Sequence, residues 1–168
     1  MDQLWDALFE HLRSRAEYFR LFDRYRLRPD AWLKIEAMAA LSGAQPPPKE
    51  LRHDRQGCDL WFSAEGGEWW LAIKGLITSY AGNAREARQT LISVEEVAKE
   101  LDRLRGLSTL SGGSPALLLA AFPFGSEPRE LNEWDTQLLR FEAKGFTPLR
   151  TQTVELRQGR ECRVYLFA

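Results

Sequence analysis

The sequence predicts an α/β (α+β) protein with a mixed central β-sheet flanked by helices on both faces. Three observations predict this. Several segments repeat apolar residues at helical spacing, shorter aromatic or aliphatic runs lie between them, and the two kinds of segment are interleaved along the chain. The predicted order is α-α-β-β-α-β-α-β-β. With 168 residues, 44% of them hydrophobic, the chain suits a single domain over 1–168.

The N-terminal part predicts two helices, which together occupy residues 1–43. Over residues 2–27 apolar side chains recur at roughly helical spacing, and Pro29 ends that segment because proline disfavours a helical residue before it. Asp30 is a suitable N-cap for a second helix over about 31–42, which ends at Gly43. The proline-rich stretch 45–48 predicts an extended loop.

A β-hairpin is predicted next, from Cys58–Ser63 and Glu68–Lys74. Gly66 and Gly67 form a favoured turn dipeptide. Counting back from that turn places Asp59 opposite Lys74. It also gives one apolar face and a second face that carries both charged residues; the apolar set is Cys58, Leu60, Phe62, Trp69, Leu71 and Ile73.

The remaining elements complete the predicted sheet and its cover. Residues 84–106 form a long amphipathic helix and 116–121 a short buried strand. A further amphipathic helix spans 127–143. A second hairpin joins 149–156 to 162–167, so that 127–168 is a helix followed by a β-hairpin.

Charge and cysteine content limit the functional classes. The net charge of −1 and pI near 6.2 exclude a protein that is basic throughout, although a local basic groove remains compatible. Cys58 and Cys162 do not make a disulfide framework, so free buried thiols are expected. No apolar run approaches the ~20 residues of a spanning helix, and the start lacks signal-peptide character. The expectation is a soluble cytoplasmic protein with no membrane partner.

The predicted pairing of Asp59 with Lys74 has two interpretations. An ordinary cross-strand ion pair on a solvated face would contribute under ~1 kcal/mol. The flanking sequences, Cys-Asp-Leu-Trp-Phe and Trp-Trp-Leu-Ala-Ile-Lys, are strongly apolar, and charges in such surroundings are costly without a function or a strong partner. The context therefore favours a functional site.

An acidic residue, a hairpin and then acid-x-Lys on the next strand resemble the restriction-endonuclease-like, or PD-(D/E)xK, nuclease superfamily. Asp59 matches the first acid, Lys74 the lysine, and Glu36 the glutamate that many members carry on the preceding helix. Residues 31–121 follow the family core of helix, three-stranded meander, helix and strand, with two of the three meander strands identified. The resemblance implies a DNA endonuclease or exonuclease, and the C-terminal β-hairpin predicted above would be an addition to its core.

That resemblance also implies the chemistry. Asp59 and Glu36 would bind Mg²⁺ or Mn²⁺, and the metal would activate water and neutralise charge on the phosphorane. Lys74 would position the nucleophile. Arg85 and Arg88, at the start of the next helix, would hold phosphate, or they are ordinary solvated helix residues.

The pattern departs from the family at Ala72, where an acid is expected. The change is a deliberate substitution, a natural degeneration, or a sign that another carboxylate (Glu36, Asp54 or Glu68) has taken the role. An Ala72→Glu variant would then be expected to cut DNA. The alternative is a non-catalytic interaction module or an accessory subunit of a DNA defence or repair complex. The small size makes a homodimer or a partner subunit a reasonable expectation.

Two tryptophans and two histidines have structural as well as functional interpretations. Trp61 and Trp70 share the predicted charged face, where they stack on bases or, more in keeping with their apolar bulk, pack beneath a helix. His53 is expected in a solvated polar loop and His11 at a surface or boundary position.

Overall fold

The computed structural model describes the backbone of residues 1–78, 84–125 and 128–168, and the side chains of all residues except 79–93 and 126–131. This part of the chain contains eleven helices and strands. In chain order they are α1 (Asp2–Ser14), α2 (Ala16–Tyr25), α3 (Asp30–Gly43), β1 (Glu50–Arg55), β2 (Cys58–Ala64), β3 (Gly67–Ile77), α4 (Ala84–Ser111), β4 (Ser114–Phe124), α5 (Pro128–Glu142), β5 (Pro148–Glu155) and β6 (Glu161–Phe167).

The six strands form one sheet in the order β1-β2-β3-β4-β6-β5. The first three strands are an antiparallel meander, and the last two are an antiparallel hairpin that joins the sheet through β6. Only β3 and β4 run parallel, because α4 connects them as a crossover. The predicted mixed α/β sheet is confirmed.

Apolar side chains fill both faces of the sheet, which confirms the prediction of helices on both sides. We call the core beneath α1, α2 and α3 the first cluster; it includes Leu8, Leu12, Phe19, Leu33, Phe62 and Leu118. The core beneath α4 and α5 is the second cluster, which includes Trp61, Trp70, Leu101, Leu117, Trp134 and Phe167. No helix among the described residues is both long enough and apolar enough to cross a bilayer.

The N-terminal helices differ from the prediction in two details. The segment 2–27 is two helices rather than one, because the chain leaves helical geometry at Arg15 between α1 and α2. The N-cap of α3 is Pro29, and Asp30 already belongs to the first turn. The Asp30 carboxylate instead accepts a hydrogen bond of 3.2 Å from the backbone N–H of Gly75 in β3, so it joins α3 to the sheet.

Strand β1 supplies the third strand of the meander, which sequence patterning missed. Its sequence, Glu-Leu-Arg-His-Asp-Arg, is polar because the strand lies at one edge of the sheet and is largely exposed. His53 therefore lies on an exposed strand rather than in a loop. Positive φ angles at Asp54, Gln56 and Gly57 mark the tight connection into β2.

The register of the β2–β3 hairpin is two residues away from the predicted one. Ala64 pairs with Gly67, so the turn residues are Glu65 and Gly66, and Trp61 faces Trp70. The prediction that Asp59 lies opposite Lys74 is wrong. A shift of two residues preserves the alternation of side chains, and for that reason the apolar pattern could not detect it.

Strand β2 also departs from strict alternation near its start. Leu60 lies in the first cluster as predicted, whereas Cys58 lies in the second cluster with Trp61. Burial raises the pKa of the Cys58 thiol to about 11, and both cysteines are free and buried as expected.

Candidate functional site

The carboxylate of Asp59 is the central group of the predicted site. Its Oδ2 atom accepts a hydrogen bond of 2.7 Å from the backbone N–H of Ile73. Its Oδ1 atom lies 3.1 Å from Nζ of Lys34, a residue of α3. The side chain is only 22% exposed, so both contacts operate away from bulk water. Asp59 thus contacts one backbone donor and the Lys34 ammonium, and its charge also acts on Arg103.

The Asp59 carboxylate also completes the edge of β3. The described pairing of β2 with β3 ends at Leu60 and Leu71. Beyond that point Ile73 donates to Asp59 and Gly75 donates to Asp30. Two carboxylates therefore stand where a neighbouring strand would supply carbonyl oxygens, which satisfies backbone donors that would be costly to leave unpaired.

Lys34 links this carboxylate to β1. Its Nζ atom lies 2.9 Å from Oδ1 of Asp54 as well as 3.1 Å from Asp59. The hydrogen bond with Asp54 is the largest cause that raises the pKa of Lys34; the bond and charge of Asp59 add to it, and burial opposes it. Lys34 therefore remains charged and is shared between the two carboxylates of Asp54 and Asp59. Sequence analysis missed Lys34, although it lies two residues from Glu36.

Lys74 lies on the other side of the sheet. Ala72 and Leu76, which alternate with it along β3, belong to the second cluster. Its charge acts on Glu100 of α4. Asp59 contacts Lys34 of α3, and its charge also acts on Arg103 of α4. The observed register of β2 with β3 shows that Asp59 and Lys74 are not a facing pair.

Glu100 and Arg103 form a bidentate pair on α4 that sequence analysis also missed. Their N–O distances are 2.6 and 3.0 Å. Burial disfavours the charged carboxylate, but the hydrogen bonds and charge of Arg103 and the charge of Lys74 outweigh it and lower the pKa of Glu100. The i,i+3 spacing of Glu100 and Arg103 was the available sequence signal. An ionised carboxylate therefore lies within electrostatic reach of Lys74.

Glu36 faces away from Asp59. Residues two positions apart in a helix are separated by about 200° around its axis. Glu36 and Lys34 therefore point to different sides of α3. The Glu36 Oε2 atom lies 2.5 Å from Nε2 of His11 and 3.1 Å from Nε of Arg15. Burial opposes its ionisation, but these two partners prevail and lower the pKa of Glu36. Glu36 joins α3 to the helices before it, and His11 is its part-buried partner.

Ala72, at the position of the expected second acid, is fully buried in the second cluster. Trp61 and Trp70 lie in the same cluster, with ring centroids 6.3 Å apart. The interpretation that these tryptophans pack beneath a helix is confirmed. The guanidinium of Arg55 lies 3.9 Å from the Trp61 ring centroid, in a cation–π contact.

Of the other two carboxylates that could have replaced the acid at position 72, Asp54 lies beside Asp59, because both contact Nζ of Lys34, whereas Glu68 contacts Trp61 of the second cluster. Glu68 accepts a hydrogen bond of 3.2 Å from Nε1 of Trp61, and Asp54 is a largely exposed residue of β1. The side chains of Arg85 and Arg88 lie outside the described residues. Among the side chains that are described, no group of three or more His, Cys, Asp or Glu residues is arranged to hold a metal ion.

Comparisons with protein-family models, with curated proteins and with solved structures found no match to this chain. The geometry of the chain itself therefore carries the functional argument.

Asp59 and Asp54 offer a matched pair of variants, because both contact Lys34 but only Asp59 contacts the β3 backbone. We expect Asp59→Ala to lower the free energy of unfolding by about 2 kcal/mol, since it leaves the Ile73 N–H and the Lys34 charge without this partner. Asp54→Ala should change stability little, because Asp54 is 68% exposed and water replaces its contact. Urea unfolding followed by circular dichroism measures both, and equal losses would contradict the bracing role of Asp59.

Proposed function

We propose that the protein is a catalytically inactive relative of the restriction-endonuclease-like nucleases, which serves as an accessory or protein-interaction subunit of a complex that acts on DNA. The observation that carries the proposal is that the two positions expected to hold metal-binding acids, 59 and 72, offer no free carboxylate. Asp59 is paired with Lys34 and bonded to the backbone of Ile73, and the buried Ala72 supplies no carboxylate. A Mg²⁺ site needs several convergent oxygen ligands, and these positions do not supply them.

The topology supports the relationship to the nuclease class. The order α3, β1, β2, β3, α4, β4 is helix, three-stranded meander, helix and strand, which is the order that the resemblance implies. The sheet order β1-β2-β3-β4, with β3 and β4 parallel, keeps these elements adjacent. Fold alone does not determine chemistry, so the motif positions decide between active and inactive members.

A second candidate is an active Mg²⁺- or Mn²⁺-dependent DNA nuclease, and one observation favours it. Glu100 is ionised and within electrostatic reach of Lys74, so it could take over the function of the missing acid at position 72. In that version Lys74 positions the water, and Arg85 and Arg88 contact phosphate. The bidentate contact of Glu100 with Arg103 would have to open before the carboxylate could bind a metal.

Cleavage and metal-binding assays on the unmodified protein separate the two candidates. We expect no cleavage of supercoiled, linear or single-stranded DNA in Mg²⁺ or Mn²⁺, and no saturable binding of either ion by isothermal titration calorimetry. The inactive proposal fails if metal-dependent cleavage occurs and is abolished by Lys74→Ala.

The same assay would then identify the acid. Loss of that cleavage in Glu100→Gln but not in Asp54→Asn would support the second candidate. If Asp59→Asn abolishes cleavage and Glu100→Gln keeps full activity, Asp59 is the metal ligand, as the sequence predicted.

A further inference from the structure

The C-terminal end of α2 carries exposed cationic and aromatic side chains. Arg24, Tyr25 and Arg26 are all exposed there, and Tyr25 keeps 58% of its surface open to solvent. The guanidinium of Arg24 lies 5.3 Å from the centroid of the Tyr25 ring, in a cation–π contact. Two cations and one aromatic ring are therefore accessible together at the end of this helix.

The β5–β6 turn adds a third arginine at the same end of α2. Arg160 of the turn lies 2.8 Å from the buried carboxylate of Asp23, and its backbone N–H and Nε both donate to the carbonyl of Arg157. Nε of Arg20 donates to the carbonyl of Glu155, just before the turn. The turn is thus held against α2, and Arg157 is exposed on it. We call the following residues the basic surface: Arg24, Tyr25, Arg26 and Arg157.

The three arginines of the basic surface are not paired with acids, unlike the arginines around them. The neighbouring ion pairs are Arg20 with Glu17, Arg28 with Asp30, and Arg160 with Asp23. Within the described residues no ion pair joins a carboxylate to Arg24, Arg26 or Arg157, and Glu155 is the further acid at this end of β5. A local excess of positive charge therefore exists on a chain whose net charge is −1.

Arginines beside an exposed tyrosine suit a single strand of nucleic acid. The cations of the basic surface are all arginines, and a planar guanidinium can bind two oxygens of a phosphate at once. An exposed aromatic ring can stack on an unpaired base. A duplex keeps its bases stacked on one another, whereas a single strand exposes them. Phosphates and unpaired bases together match what the basic surface offers.

We propose that the basic surface binds single-stranded DNA, with phosphate oxygens on its three arginines and a base stacked on Tyr25. The inference rests on the proposed function, because an accessory subunit of a complex that acts on DNA would in this way have its own contact with the strand. The motif positions 36, 59, 72 and 74 take no part in this contact, so the binding needs no metal ion.

Fluorescence anisotropy with a labelled oligothymidylate of about 15 nucleotides measures the binding on the intact protein. EDTA is present, so a metal at the motif positions cannot contribute. Three phosphate contacts should give a slope of about −2 for the logarithm of the affinity against the logarithm of the salt concentration, since each contact in a single strand adds about −0.7. No binding at about 100 µM protein in low salt, or binding that salt does not weaken, overturns the proposal.

Arginine variants test where the strand binds. Arg24→Gln/Arg26→Gln removes two phosphate contacts, so binding should weaken and the salt slope should become shallower by about 1.4. The matched variant Arg105→Gln/Arg140→Gln removes the same charge from exposed arginines of α4 and α5, on the opposite face of the sheet. It should bind as the unmodified protein does, and equal salt slopes for the two variants would overturn the location.

Tyr25 tests whether the bound strand is single. Tyr25→Ala should weaken binding about tenfold with little change in the salt slope, because a stacking contact is lost and no charge is removed. Tyr25→Phe keeps the ring and should bind normally. A duplex of the same length should compete poorly. Full affinity in the Tyr25→Ala protein, or a duplex that competes as well as the single strand, contradicts the stacking of a base on Tyr25.

The nucleic acid and the proposed function are tested separately. An oligouridylate of the same length that binds about tenfold more tightly would make RNA the ligand and overturn the choice of DNA. Absence of oligothymidylate binding, with circular dichroism showing a folded protein, removes the basic surface as a DNA site and leaves the inactive protein-interaction role standing. Metal-dependent cleavage would refute that inactive role, whereas binding at the basic surface would still be measurable in EDTA.

Discussion

Replacing Gly75 by alanine is expected to lower the free energy of unfolding by about 1–3 kcal/mol, the usual cost of overpacking a filled site. A Cβ atom at this position would lie 2.3 Å from Cδ and 2.7 Å from Cγ of Pro29. The proline ring is rigid, so α3 or β3 has to move. The same movement would lengthen the hydrogen bond from Gly75 to Asp30.

The Gly75 variant has a matched control in the same chain. Gly106 lies in α4, and a Cβ atom there would meet nothing within 4 Å. Gly106→Ala should therefore raise stability by about 0.5–1 kcal/mol, because alanine has less backbone entropy to lose than glycine in a helix. Urea unfolding curves for both variants show whether the free energy of unfolding falls for Gly75→Ala and rises for Gly106→Ala. A Gly75→Ala protein as stable as the unmodified one would show that α3 does not seat on β3 in this way.

Gly75 connects this packing to the candidate site. The N-terminus of α3 rests on β3 at Gly75, and Lys34 follows one helical turn later, where it contacts Asp59. If α3 shifts to accommodate alanine, Lys34 shifts with it. The helix that carries Glu36 thus also supplies the cation that contacts Asp59.

The layers of this fold could be predicted from sequence because burial follows simple periods. Apolar residues every third or fourth position marked the helices, and the aliphatic run 116–121 marked the core of β4. Strand β1 could not be found in this way, since an exposed edge strand has no apolar face. The split between α1 and α2 was hidden because both helices continue one apolar stripe into the first cluster.

The candidate site was less predictable because its contacts come from elements far apart in sequence. The motif placed Asp59 and Lys74 in one hairpin, and a register error of two residues left every apolar argument intact. The charges that act on Asp59 belong to Lys34 of α3 and Arg103 of α4, and the carboxylate on which Lys74 acts belongs to Glu100 of α4. These partners lie outside the hairpin, so the spacing of residues within the hairpin could not reveal them.

Introducing an acid at position 72 is expected to destabilise the fold rather than to create a nuclease. Ala72 is fully buried in the second cluster with Trp61 and Trp70. A glutamate there must bury its carboxylate or force the cluster apart, at a cost of about 3–4 kcal/mol. Burial would raise the pKa of the new carboxyl, so the loss should be largest at neutral pH and smaller as the pH falls and the neutral acid forms.

Ala143→Glu makes the same chemical change at an exposed alanine just after α5, and it should alter stability by no more than about 0.5 kcal/mol. Thermal unfolding of Ala72→Glu with and without Mg²⁺ or Mn²⁺ then tests whether position 72 is a vacant ligand position of a metal site. The inactive proposal expects an unstable variant that neither ion rescues. A stable Ala72→Glu protein that gains thermal stability from Mg²⁺ and cuts DNA would show instead that the fold still holds a metal site with one ligand missing.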